Sequence, residues 1–171
     1  MTYEPPASPG TAALLVADAG PLIVLGLVGL LAPAAHRYGP LAVPDAAVRE
    51  CLAQPGLPGE GAIREALDAG QLRVVATAVL EQLATRGLGA GEAAVIAFAQ
   101  AHGLVALVDD RKARQTARRL GVPLIGSGAV PVQLKRSGHV TSVQAVLDRW
   151  HAHGYFVAEP VRQALLAAAG E

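Results

Sequence analysis

The stretch GLVALVDDRKARQTARRLGVPLIG, residues 103–126, decides how this chain folds. Leu104 to Val108 is apolar at every position, as a strand covered on both faces would be, whereas a half-exposed strand alternates. Asp109 and Asp110 follow without a spacer. Five basic residues come next, Arg111, Lys112, Arg114, Arg118 and Arg119, on a helical segment that stops at Gly121. Val122 to Ile125 is another short apolar run.

The same alternation extends in both directions. Leu14 to Ala17, Leu41 to Val43 and Leu72 to Ala76 read as further short strands. Helices are predicted from Pro21 to about Leu31, from Pro44-Asp45 through Glu50, over Ala62 to Ala69 and over Glu92 to His102. Thr77 can cap another. Ser127 to Arg136, Ser142 to His153 and Glu159 to Ala169 are predicted as three C-terminal helices. Short apolar strands alternating with helices mark a parallel sheet covered on both faces. The expected fold is α/β, with residues 1–11 as a flexible arm and 12–171 as a single domain.

Composition agrees. The 171 residues suffice for one core, and with one Trp, three Tyr and two Phe that core must be built from Ala, Val and Leu. Cys51 is the only cysteine, so no intrachain disulfide or cysteine-based zinc site can form, and a reducing, cytoplasmic setting fits. Thr11 to Ala35 carries one charge, Asp18, and invites a membrane reading. Three features oppose it. No Lys or Arg precedes the run, a lone carboxylate is expensive in lipid, and Gly20-Pro21 divides it. A buried strand and a buried helix are expected there instead.

Net charge is zero, so bulk charge does not point to nucleic acid, but its distribution does. Residues 111–136 hold Arg111, Lys112, Arg114, Arg118, Arg119, Lys135 and Arg136 with no Asp or Glu among them. A neutral protein can carry a strongly positive face suited to phosphates.

The acids carry the chemistry. Ligands bind at the carboxyl ends of the strands in an open parallel sheet. Asp18 stands at the end of the first strand and Asp109-Asp110 at the end of the fourth. Glu92 starts a helix, and Glu50 lies in the helix after the second strand. Two carboxylates about 4 Å apart repel by about 4 kcal/mol at an effective dielectric of about 20. Convergence therefore requires protonation or a cation. Oxygen donors without His or Cys select Mg²⁺ or Mn²⁺, which suit phosphodiester hydrolysis by metal-activated water. Each acid also has a plain structural use. Asp109 or Asp110 can cap the basic helix while the other binds metal, and Glu50 and Glu92 can be solvated helix residues. His151 and His153, two positions apart, face different sides of a helix and read as surface histidines.

Taken together, VADAGPLIVLGLVGLL (16–31), VPDAAVREC (43–51), LGAGEAAVIAFAQAHG (88–103), LVDDRKARQTARRLGVPLIG (107–126) and the tail over 132–166 resemble PIN-domain proteins. They are most similar to the branch of VapC-like toxins of toxin–antitoxin pairs. The resemblance covers residues 13–168. It implies a three-layer α/β/α sandwich with a mostly parallel sheet of about five strands, and metal-dependent ribonuclease activity from a quartet of acids. Matched by position, the quartet is Asp18, Glu50, Glu92 and Asp110. Asp110 is favoured because family members place that acid just before a basic or polar residue, and Asp109 is the close second. The resemblance also implies RNA as substrate, an antitoxin protein as partner and a homodimer. The surplus of Leu and Val between Pro21 and Tyr38 would supply the dimer surface. Arg111, Lys112, Arg114, Arg118, Lys135 and Arg136 are the expected nucleic-acid contacts. In one place the sequence departs from the family. Hydroxyl residues usually follow the first Asp, and here Ala19-Gly20 stand. Two other functions remain open: a non-catalytic RNA-binding or regulatory module, which that departure favours, and a nuclease acting on DNA or on a particular nucleic-acid structure.

Overall fold

A computed structural model of the protein describes residues 15–77 and 87–171. The expected N-terminal arm and the helix that Thr77 was expected to cap lie outside the described residues. The sheet has five strands: β1 (Leu15–Ala17), β2 (Leu41–Pro44), β3 (Leu72–Val75), β4 (Val105–Leu107) and β5 (Leu124–Ile125). Their order is β3-β2-β1-β4-β5, and every pair is parallel. Nine helices occur among the described residues: α1 (Ala19–Leu27), α2 (Leu31–Tyr38), α3 (Asp45–Cys51), α4 (Glu60–Asp68), α5 (Ala90–His102), α6 (Arg111–Arg119), α7 (Ala129–Arg136), α8 (Val143–Ala152) and α9 (Glu159–Ala169).

The apolar strands are explained by two cores, one on each face of the sheet. Leu15, Ala17, Leu41, Val43 and Leu107 point into one, with α1, α2 and α8 over them. Val16, Ala42, Ala106 and Val108 point into the other, under Val95, Ile96 and Phe98 of α5 and Ala113 and Ala117 of α6. Successive strand residues face opposite ways, so burial on both sides demands an unbroken apolar run. This is the α/β/α sandwich expected from the sequence.

The helix predicted from Pro21 to about Leu31 is α1, which ends earlier, at Leu27, and α2 follows from Leu31 at an angle of 117°. Gly29, at φ 72°, closes α1. Its N–H donates to the Gly26 carbonyl at 3.2 Å, and the Leu30 N–H donates to Leu25 at 2.9 Å. This is a Schellman closure, which needs a left-handed residue that glycine supplies without strain. The bend folds the apolar residues back on the sheet. Leu22, Val24, Leu25, Val28, Leu30 and Leu31 are all buried within the chain, so the surplus assigned to a pairing surface is used by the core. Among the described residues no single helix is long and apolar enough to cross a membrane. α4 also starts earlier than predicted, at Glu60, whose carboxylate pairs with Arg64 one turn on.

Candidate active site

Register places the first acid. Ala17 pairs with Leu107, so β1 and β4 end side by side, and the Asp18 N–H donates to the Leu107 carbonyl at 3.1 Å. The sheet order reverses between these strands, since β2 and β3 lie beyond β1 while β5 lies beyond β4. Such a switch point opens a crevice at the strands' carboxyl ends. Asp18 and Asp109 flank it.

Asp18 occupies the N-cap position of α1, yet its side chain makes no capping bond. It is only 9 % exposed, and its Oδ1 is buried without a hydrogen-bond partner. An orphan acceptor of this kind is costly and marks a place where a ligand is missing or strain is stored. Burial raises the Asp18 pKa to about 6, and the charges of Glu92, Glu50 and Asp109 push the same way, partly offset by the Ala19 N–H. Cys51 senses the same field. It is buried beside the Ala19 carbonyl, and burial with the Glu50 and Asp18 charges pushes its thiol up to about 12. That makes it an inert core residue.

Gly91, in the first turn of α5, is where two of the carboxylates meet. A Cβ there would lie 2.9 Å from Asp18 Oδ1 and 3.6 Å from Glu50 Oε2. The missing side chain leaves a notch that both oxygens fill. One residue on, Glu92 Oε2 accepts the Gly89 N–H at 2.8 Å, so one carboxylate oxygen secures the helix start.

The two adjacent aspartates take different roles. Asp110 is exposed, and its Oδ1 accepts the Ala113 N–H at 2.9 Å, capping α6. Asp109 is half-buried and turned across the sheet ends. Its Oδ1 accepts the Ser127 N–H at 2.8 Å, and the Tyr155 hydroxyl lies 3.4 Å from its Oδ2. Of the two, Asp109 is the one whose charge acts on Asp18. Asp18 thus feels the charges of Glu50, Glu92 and Asp109, while Asp110 caps α6.

These donors are all carboxylate oxygens, a set that fits a hard divalent cation such as Mg²⁺ or Mn²⁺. The orphaned Asp18 oxygen and the Gly91 notch fit the same purpose. Among the described residues no three such side chains are drawn together closely enough to hold an ion as they stand.

The expected cationic contacts divide. In α6, Ala113, Thr116 and Ala117 are buried, whereas Arg111, Lys112, Arg118 and Arg119 are exposed on its outer side. Arg114 is half-buried, and its Nη1 donates to the Val108 carbonyl at 3.0 Å, beside the acids. Lys135 and Arg136 are engaged elsewhere. Lys135 Nζ lies 2.6 Å from Glu171 Oε1, and Arg136 donates to the Ala168 carbonyl at 3.0 Å. Lys135 and the N–H groups at the start of α8 hold the Glu171 carboxyl down to about 2.

Tyr155, Ser127 and Gly91 were not singled out in the sequence. Nothing local marks them, since each acts on an acid far away along the chain.

No curated protein matches the chain. A family model does: the DUF3368 family, described as a PIN domain, matches residues 14–171 and so takes in every strand, helix and acid described above. That is a nuclease-type fold. The match covers the all-parallel five-stranded sheet, and the chain belongs to the PIN-domain family.

Proposed function

We propose that this PIN domain is a Mg²⁺- or Mn²⁺-dependent endoribonuclease of the VapC-like kind, the toxin of a toxin–antitoxin pair. One observation carries the reading: a buried Asp18 carboxylate with an unpartnered oxygen, faced by Glu50, Glu92 and Asp109. An antitoxin protein, a second copy of the chain and a cytoplasmic location belong to the same proposal.

Asp18, Glu50, Glu92 and Asp109 would hold the cation, with Asp110 as helix cap. When bound, the cation supplies an activated water and stabilises charge on the leaving oxygen. The chain does the rest by placement. Asp109 is aimed by the Ser127 N–H and the Tyr155 hydroxyl. Arg111, Lys112 and Arg114 hold the flanking phosphates, a contact that positions RNA without reading its sequence. A bound cation would favour the ionised form of Asp18, because opposite charge stabilises a carboxylate.

The test is cleavage of labelled single-stranded RNA and DNA with Mn²⁺ or with EDTA. RNA cleavage that EDTA abolishes supports the proposal, and cleavage of DNA alone refutes the ribonuclease assignment. Asp109→Asn should lower metal-dependent cleavage on the order of a hundredfold, the scale seen when one group stabilising the transition state is lost. Asp110→Asn should leave cleavage within about twofold, because Asn caps a helix as well as Asp does. The reverse pattern would move the metal role to Asp110.

Gly91→Ala probes the notch. The new methyl at 2.9 Å would displace the Asp18 carboxylate. Cleavage should fall at least about tenfold while the melting temperature barely moves, since alanine gains about 1 kcal/mol of helix propensity over glycine to offset the crowding. Unchanged cleavage in a folded Gly91→Ala protein would show that the notch is not part of the site.

A second reading has its own support. Ala19-Gly20 supply no hydroxyl beside Asp18, which suits a regulatory module that kept the fold and lost turnover. Such a module would bind RNA in EDTA as well as in Mn²⁺ and cleave nothing.

A further inference from the structure

A cavity of about 440 Å³ has Asp109 in its lining. Its walls are the loop from β5 into α7, the connection between α8 and α9, and α9 itself. Sites for small ligands occupy roughly 300–1,000 Å³ and combine apolar walls with a few convergent polar groups. Here Tyr155, Phe156 and Leu165 give the apolar walls, and Asp109, Arg114 and Ser127 the polar ones. Large exposed hydrophobic side chains among the described residues are Val74, Phe156 and Val161, and the last two line this cavity, 71 % and 51 % exposed. Phe156 is held edge-on by His151, ring centroids 4.8 Å apart, so its ring is braced while largely open to solvent.

We propose that this cavity takes the unstacked base of a nucleotide next to the phosphate at the acidic crevice, with Phe156 as the stacking surface. The inference rests on the nuclease reading for its register. Three observations select a nucleobase. The cavity is lined by Asp109, one of the acids assigned to the cation. Arg114, on the basic helix, lines it as well, and its guanidinium and the Asp109 carboxylate both lie against Gly126. The lining pairs an aromatic face with hydrogen-bonding groups, which suits a flat heterocycle with a polar edge. A paired base has both faces covered by its stack, so the ligand must be single-stranded.

The experiment separates binding from cleavage. Affinity for a labelled single-stranded oligoribonucleotide is measured in EDTA for the parent, Phe156→Ala and Phe156→Trp. Loss of one stacking contact should weaken binding on the order of tenfold in Phe156→Ala, whereas Phe156→Trp should bind as well as the parent or better. Phe156 is a surface residue, so the variants should fold. Trp150, the only tryptophan of the chain, lines the same cavity, and its emission should change when a mononucleotide is titrated into the parent. In Mn²⁺, a single abasic position moved along the substrate should depress cleavage at one register only. The proposal is overturned if Phe156→Ala binds like the parent, if duplex RNA binds as well as single strands, or if the parent binds no oligonucleotide. It is equally overturned if Phe156→Ala loses only a protein partner. Binding that depends on Phe156 in a protein that cleaves nothing would support this cavity while refuting the nuclease reading alone.

Discussion

Asp18→Asn should abolish metal-dependent cleavage and, at neutral pH without metal, make the protein more stable. The loss of activity follows from removing a negative oxygen donor at the centre of the acid group. The expected drop is at least about a hundredfold, the scale seen when one electrostatic contributor is lost. The gain in stability follows from the raised pKa, about 6 in the fold against an ordinary 3.8. Between those values the folded protein binds more protons than the unfolded chain, so stability falls as pH rises. The stabilisation from the protonated acid is fully present below about pH 4 and has gone by somewhat above pH 6. At about 1.4 kcal/mol per pKa unit the ionised carboxylate costs the metal-free fold about 3 kcal/mol at neutral pH. Asn keeps the volume and removes that cost, which at this chain length corresponds to roughly 6–12 °C in Tm. Melting curves at pH 4 and pH 7.5 check it. The variant should gain little at the first pH and most at the second. Mn²⁺ should raise the Tm of the parent and have little effect on the variant. A folded Asp18→Asn protein that cleaves normally would remove Asp18 from the mechanism.

The second large effect is expected at Trp150. The indole is 0 % exposed, and its Nε1–H donates to the Val24 carbonyl at 2.7 Å, fastening α8 to α1. It also meets Tyr155 edge-on, with ring centroids 5.6 Å apart. Trp150→Ala should cost about 3–5 kcal/mol, the range for emptying a large aromatic site in a core. Trp150→Phe keeps much of the packing but leaves the Val24 carbonyl unpaired, which costs about 1–3 kcal/mol. Denaturant unfolding followed by circular dichroism measures both. A loss below about 1 kcal/mol for Trp150→Ala would mean that α8 contributes little to holding the α1 side of the sheet. Because Tyr155 leans on Trp150 and reaches Asp109, cleavage in the folded Trp150→Phe protein should also fall.

Family membership, residues 14–171, and the all-parallel sheet were both legible in the chain. The reason is that strand, turn and helix signals are local. Leu104 to Val108 is apolar at every position whatever else surrounds it, and Gly121 stops a helix by its own conformation. The failure at Gly29 is instructive for the same reason. Its apolar surroundings continue a helical pattern, and only the packing of α2 back over the sheet selects the left-handed turn that ends α1.

The sequence by itself determined the α/β architecture, the placement of Asp18 and an Asp pair at strand ends, and the basic helix that follows. Tertiary structure alone decided which aspartate of the pair caps α6 and which acts on Asp18 by its charge. Asp109 and Asp110 are identical in chemistry and adjacent in sequence. What separates them is the Ser127 N–H and the Tyr155 hydroxyl, brought from β5 and from beyond α8 to hold Asp109, while the Ala113 N–H takes Asp110. It likewise turned Lys135 and Arg136 toward Glu171 and α9, and made Gly91 a notch for two carboxylates. Local propensity sets where elements start and stop, whereas the direction of a side chain depends on partners distant in the chain that only sheet order and register bring near.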